Sequence, residues 1–196
     1  MIKRKKDPAG QDYYGQVNDA DEYHGKGTLT YRKGNEYDGG FKNGKFHGRG
    51  IYKFSNGAKL EGKWKEGKLH KKGKLIGAEG DKLRVYDGEF YNQKQHGKGT
   101  STYSDGSRFE GQWINGKRHG NGALVFSGIK FVGKWKNDKK HGKGKFIFPN
   151  DKKHAAEYME NQPWTGKFPI EISSIKVAKK TVDVWKEGKF IKKEPL

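Results

Sequence analysis

The sequence predicts an all-β fold, an elongated single-layer antiparallel ribbon of tandem hairpins. Three observations carry that prediction. Aromatic, glycine and aromatic alternate in short runs, as at Tyr37, Gly39 and Phe41, which places them on one face of a strand. Each run leads into a turn such as Asn43-Gly44, and Asn and Gly tolerate the positive φ of tight hairpins. The arrangement recurs about every 23 residues, and self-similarity at a fixed period signals a repeat array.

Residues 1–12 read as a basic N-terminal tail. Lys3-Arg4-Lys5-Lys6 is followed by Pro8 and Gly10, a solvated terminus unless an acidic groove holds it. Met1 has no apolar run behind it, so neither a secretory leader nor a membrane span is expected. Residues 13–165 read as the repeat array, about seven hairpin units. A diverged first copy carries Tyr13, Gly15, Val17 and His24, with an acidic turn at Asp19, Asp21 and Glu22, as an atypical end unit should. Phe41, Trp64, Phe90, Trp113 and Trp135 mark the regular copies, in steps of 23, 26, 23 and 22 residues. Six positions after each stands a histidine: His47, His70, His96, His119 and His141. The long step comes from extra residues around 77–82, read as a longer connecting loop. A weaker copy at Tyr158 has Trp164 in place of the histidine. Residues 154–160 fit a short helix or a degraded strand. Residues 166–196 read as a short irregular C-terminal cap. Strands are expected at 170–172 and 181–185, and Trp185 to Phe190 echoes Trp64 to Leu69.

Only 31% of residues are hydrophobic and 33% are charged, a balance that suggests disorder in an ordinary domain. Stacked hairpins need little core, because each ring packs on the neighbouring repeat. The 30 glycines supply turns and let rings lie over the backbone. The chain has no cysteine, which excludes disulfides and thiolate metal sites. A net charge of +19 calls for an anionic partner or surface.

The run Phe109-Glu110-Gly111-Gln112-Trp113-Ile114-Asn115-Gly116-Lys117-Arg118-His119-Gly120-Asn121-Gly122 resembles the MORN repeat, whose pattern is Tyr-x-Gly-x-Trp-x-x-Gly-x-x-His-Gly-x-Gly. The resemblance covers roughly residues 13 to 165. Leu60 and Phe109 depart from the opening tyrosine, Lys71 from the glycine after the histidine, and Asp138 from a turn glycine. The stretch His47 to Phe54 is similar to repeat-only members of cilia and flagella, of the radial spoke head type. That resemblance implies a scaffold in the axoneme, cytoplasmic and cytoskeletal, binding other proteins of a large assembly through acidic or helical segments. The family also implies a second reading, a peripheral module on anionic phospholipids, since phosphoinositide binding has been proposed for it.

The phased histidines invite a metal site, but equivalent residues of successive units lie about 10 Å apart, too far to share one zinc at ~2.0–2.1 Å. They are expected to hydrogen-bond the turn beneath the aromatic. Gly62 to Lys68 and Gly111 to Lys117 mimic a phosphate-binding loop, yet Leu69 or Arg118 follows where Ser or Thr should bind magnesium, and no helix opens there. No Ser/His/Asp or paired-carboxylate arrangement stands outside the repeat phase. No enzymatic activity, metal or cofactor is expected.

Lysine is the informative residue. Lys45, Lys68, Lys94, Lys117 and Lys139 follow the turns in one phase, and Arg49, Lys98 and Lys143 stand two residues after a histidine. These are the expected partner-binding residues, a basic edge for an extended anion. Lysine at a sheet edge also discourages stray strand pairing. A second expected surface is the aromatic face of Tyr37, Phe41, Trp64, Tyr86, Phe90, Phe109, Trp113, Phe131 and Trp135, open to a partner helix or extended peptide. Nucleic acid is the least favoured partner, since base stacking needs exposed rings.

Overall fold

The computed structural model describes residues 1–169, 181–186 and 189–195, in two compact units, 1–105 and 106–196. Regular structure among the described residues is strand alone.

The first unit holds β1 (Ile2–Lys6), β2 (Asp12–Val17), β3 (Tyr23–Thr30), β4 (Glu36–Lys42), β5 (Lys45–Lys53), β6 (Lys59–Lys65), β7 (Lys68–Ile76), β8 (Leu83–Tyr91) and β9 (Lys94–Tyr103). Each strand pairs antiparallel with the next in chain order. The second unit holds β10 (Arg108–Ile114), β11 (Lys117–Phe126), β12 (Ile129–Lys136), β13 (Lys139–Ile147), β14 (Lys153–Met159), β15 (Gln162–Pro169), β16 (Thr181–Lys186) and β17 (Lys189–Pro195). It too is a meander of antiparallel neighbours. Each unit is one layer.

The hairpin β4–β5 shows why the sequence folds this way. Asn43 and Gly44 both take positive φ, 49° and 74°, the backbone of a two-residue turn that matches strand twist. Beyond the turn Phe41 faces Phe46, and past a bulge Gly39 faces Gly50. Tyr37 lies over that glycine pair. A Cβ on Gly39 would stand 2.7 Å from the Tyr37 hydroxyl and 2.5 Å from the Gly50 Cα, so the ring occupies the space that a side chain would need. The Tyr37 hydroxyl donates to the Gly40 carbonyl at 3.0 Å. Leu60 is too short for this in the third hairpin. There Leu69, from the opposite strand, covers Gly62 and Gly73.

The expected basic tail is a strand. β1 runs along β2 from Ile2↔Gln16 to Lys6↔Asp12. Lys3 and Lys5 reach Asp21 at 2.8 and 2.7 Å, and Arg4 reaches Asp12 at 2.7 Å. The acidic turn of the first repeat thus holds the basic stretch. The extra residues of 77–82 form a connecting loop, closed by Gly77 N–H to the Arg84 carbonyl at 2.9 Å and Ala78 N–H to Asp81 Oδ2 at 3.0 Å.

Towards the C terminus the hairpins continue. Residues 153–159 are a strand, not a helix. β16–β17 keep the repeat's register, with a shift between Val184 and Trp185 and Trp185 opposite Phe190. Trp64 stands opposite Leu69 across the same kind of shift, so the sequence echo carries a structural one. The strand expected at 170–172 lies outside the described residues.

Candidate functional site

All five turn lysines open the second strand of a hairpin and are exposed. Two are tied to the next hairpin. Lys45 pairs with Glu66 and Lys139 with Glu160, each at 3.1 Å. Lys68, Lys94 and Lys117 make no ion pair among the described residues. The turn edge therefore does two things: some lysines bond hairpin to hairpin, and others stay available. Arg49, Lys98 and Lys143 are exposed as well. The Lys98 N–H donates to Glu89 Oε1 at 3.2 Å, which fixes the backbone and leaves the ammonium free.

The aromatic residues do not form an open face. None of Tyr37, Phe41, Trp64, Tyr86, Phe90, Phe109, Trp113, Phe131 and Trp135 is more than 7% exposed. They pack edge to face along each unit, as Tyr37 does on Phe41 at 5.2 Å and on Trp64 at 5.4 Å. Trp64 also donates its indole N–H to the Gly50 carbonyl at 3.0 Å. The expectation that a partner lies on these rings is corrected: they are the core.

A column missed in the sequence covers them. The residue before each histidine lies on the aromatic side, in the order Tyr23, Phe46, Leu69, Gln95, Arg118 and Lys140. Tyr23 stacks on Tyr13 at 3.9 Å and Phe46 on Tyr37 at 3.7 Å. Arg118 places its guanidinium 4.5 Å from the Trp135 ring, and Lys140 its ammonium 5.0 Å from Phe131 and Phe146. The signal was strand alternation itself. A residue two positions from the turn glycine shares the aromatic face, whereas the histidine beside it points away. The expected histidine hydrogen bond to the turn is corrected accordingly. Nδ1 of His24, His47, His96, His119 and His141 is buried without a partner. The bulge carbonyls are served instead by tyrosine hydroxyls, Tyr37 to Gly40 and Tyr86 to Glu89.

Asp138, the departure from a turn glycine, has a structural use. Its Oδ1 accepts from the Arg118 N–H at 2.9 Å and from Arg118 Nε at 3.1 Å, and its carbonyl accepts from Arg118 Nη2 at 2.9 Å. The Lys140 N–H likewise donates to Asn161 Oδ1 at 2.7 Å, but its ammonium makes no ion pair among the described residues. Burial among the rings, with Arg118 nearby, lowers its pKa to about 8.

On the opposite, polar face of the first unit lies a groove of about 1650 Å³ across β4 to β9. Arg49, Lys63, Lys65, Lys68, Lys71 and Lys72 line it, with Asp38, Glu61, Glu66 and Glu89; Ile51 and Tyr91 add apolar surface, and the buried Leu69 and Phe90 of the aromatic side border it. Of the sequence-chosen basic residues it gathers Arg49 and Lys68, and it leaves out Lys45, Lys94 and Lys98. Among the described residues no three His, Asp or Glu side chains come together as metal ligands.

The model of the MORN repeat matches six segments, residues 19–36, 37–59, 61–82, 86–108, 109–128 and 131–153, about two thirds of the chain. No curated protein matches the chain.

Proposed function

The chain belongs to the MORN-repeat family, and on that premise we propose that it is a non-enzymatic scaffold in a cytoskeletal assembly, an axonemal component such as one of the radial spoke. One observation supports this reading over a chemical one. The rings and glycines are consumed in holding hairpin to hairpin, while unpaired cations are left along the turns and across the polar face. Such a surface binds acidic protein through many weak contacts. The ciliary part rests on the similarity of His47 to Phe54 to the repeat-only ciliary members.

The test is fractionation of the tagged chain in a ciliated cell, before and after detergent and then salt. A scaffold stays with the axoneme through detergent and leaves in salt. Lys68→Glu and Lys117→Glu together, at turn lysines that make no ion pair among the described residues, should release it without lowering the melting temperature. The alternative, anionic lipid binding, has the same cations in its favour at about 1 kcal/mol per lysine. It predicts release by detergent and pelleting with vesicles, and that outcome would replace the scaffold reading.

A further inference from the structure

The polar groove is not uniform, and its irregularity sits at Lys71. In the other hairpins the residue after the histidine is glycine with φ near +60°, as at Gly25, Gly48, Gly97, Gly120 and Gly142. Here it is a lysine held at φ 64°, a conformation that costs a side-chain-bearing residue of order 1 kcal/mol. The junction around it is opened. Between other hairpins the ladder begins with that glycine opposite an aromatic, Gly25↔Phe41, Gly48↔Trp64, Gly120↔Trp135 and Gly142↔Tyr158. β7 and β8 begin one residue later, at Lys72↔Glu89. Other junctions are also tied from turn amide to strand carbonyl, Gly44 to Tyr23 at 2.9 Å and Gly67 to Phe46 at 3.0 Å. Among the described residues no such bond joins Gln93 to Leu69.

Charge is concentrated at the same place against local preference. Arg49 stands directly opposite Lys63, and Lys65 opposite Lys68, the second a pairing that the turns also carry at Lys42↔Lys45 and Lys136↔Lys139. Like charges in register destabilise a sheet, and neither groove pair is relieved by an acid. The groove's six cations make no ion pair among the described residues, while Glu66 is engaged by Lys45. Asp38, Glu61 and Glu89 are its remaining carboxylates, none in an ion pair among the described residues, and Glu89 stands opposite Lys72 and accepts from the Lys98 N–H.

We propose that this groove, opened at Lys71, is the docking site for an extended acidic peptide segment. The cavity exceeds the roughly 300–1,000 Å³ of small-ligand clefts. Asp38 and Glu61 among the cations oppose a continuous phosphate surface but suit a chain whose carboxylates are spaced by other side chains. Tyr91, 61% exposed on the wall, offers such a chain an apolar rest. The proposal rests on the scaffold reading only in taking the occupant to be protein.

The experiment is fluorescence anisotropy of the full chain with a fluorescein-labelled peptide alternating glutamate and valine over ten residues. Lys71→Gly restores the ordinary repeat residue and relieves the positive φ, so it should melt no lower than the wild type. The expected result is about tenfold weaker peptide binding in Lys71→Gly, a similar loss in Lys68→Ala, and no change in Lys94→Glu, which lies outside the groove. Equal binding in Lys71→Gly and wild type overturns the proposal. So does equal weakening by Lys94→Glu, which would make the attraction a property of net charge. Pyrophosphate or phosphatidylserine vesicles displacing the peptide below its own binding concentration would also overturn it, as a phosphate site. Axonemal retention with no groove binding would sink this inference and leave the scaffold reading standing.

Discussion

Phe46 lies flat on Tyr37, with ring centroids 3.7 Å apart and planes 14° from parallel. The pair is boxed by edges. Phe41 meets Tyr37 at 5.2 Å and Phe46 at 5.6 Å, and Trp64 meets them at 5.4 and 5.5 Å. Stacking at this distance joins the strand before the turn to the strand after it. A double-mutant cycle of Tyr37→Leu and Phe46→Leu, read by urea unfolding, should give a coupling of about 0.5–1.5 kcal/mol. A coupling indistinguishable from zero would mean the rings are merely neighbours.

Trp113 is 3% exposed. Trp113→Ala should therefore destabilise by about 3–5 kcal/mol, the cost of a large cavity. A loss under about 1 kcal/mol would mean that the ring is dispensable to the core. Gly39→Ala should be costly for another reason. Its methyl would meet the Gly50 backbone and the Tyr37 hydroxyl, so tyrosine fluorescence as well as stability should change. Gly44→Ala meets nothing within 4 Å and should lose only about 1 kcal/mol, from its positive φ.

Lys140 gives a pH dependence of unusual sign. Its folded pKa is lowered to about 8, against roughly 10.4 unfolded. Between those values the unfolded chain holds a proton that the folded chain lacks. Stability should then rise with pH across that window. Lys140→Met should be more stable than wild type at pH 7 and should lack the rise. Urea unfolding at pH 7, 9 and 10 measures both, and parallel curves for the two proteins would refute the assignment.

Asp21 gives a slope of the same sign, at acid pH and from the opposite cause, since its partners favour the charged form. Hydrogen bonds from Lys3 and Lys5 lower its pKa to about 2. The clamp on β1 is complete above about pH 3.9, the unfolded value, and is lost as pH falls towards 2. Asp21→Asn should loosen residues 2–6 at neutral pH. The amide resonances of those residues report it, and shifts unchanged from wild type would show that the ladder alone holds the strand.

The hairpins were legible because Asn43-Gly44 and the Tyr37, Gly39, Phe41 alternation each encode a local backbone state. What lay over the rings was not. The column from Tyr23 to Lys140 changes from aromatic to aliphatic to cationic, so residue type gave no pattern, and only strand alternation could have assigned its face. The strand β1 was hidden for a related reason. Lys3 to Lys6 has no intrinsic strand signal and depends on Asp12, at the start of β2, and on Asp21 in the turn of the first repeat. The groove at Lys71 needed the register of β7 on β8, a long-range fact. Its one trace in the sequence was the missing glycine.

β1 also decides what the first hairpin can do with other copies of itself. Among the described residues it pairs only with β2, and it covers the edge that β2 would otherwise present. Its own outer edge carries Lys3, Arg4, Lys5 and Lys6 in succession, and an incoming strand would have to place its backbone against that charge. A meander of repeated hairpins with a bare edge could otherwise pair with another copy of itself. The basic strand thus works against edge-to-edge pairing beside β2, where an uncharged edge would invite it.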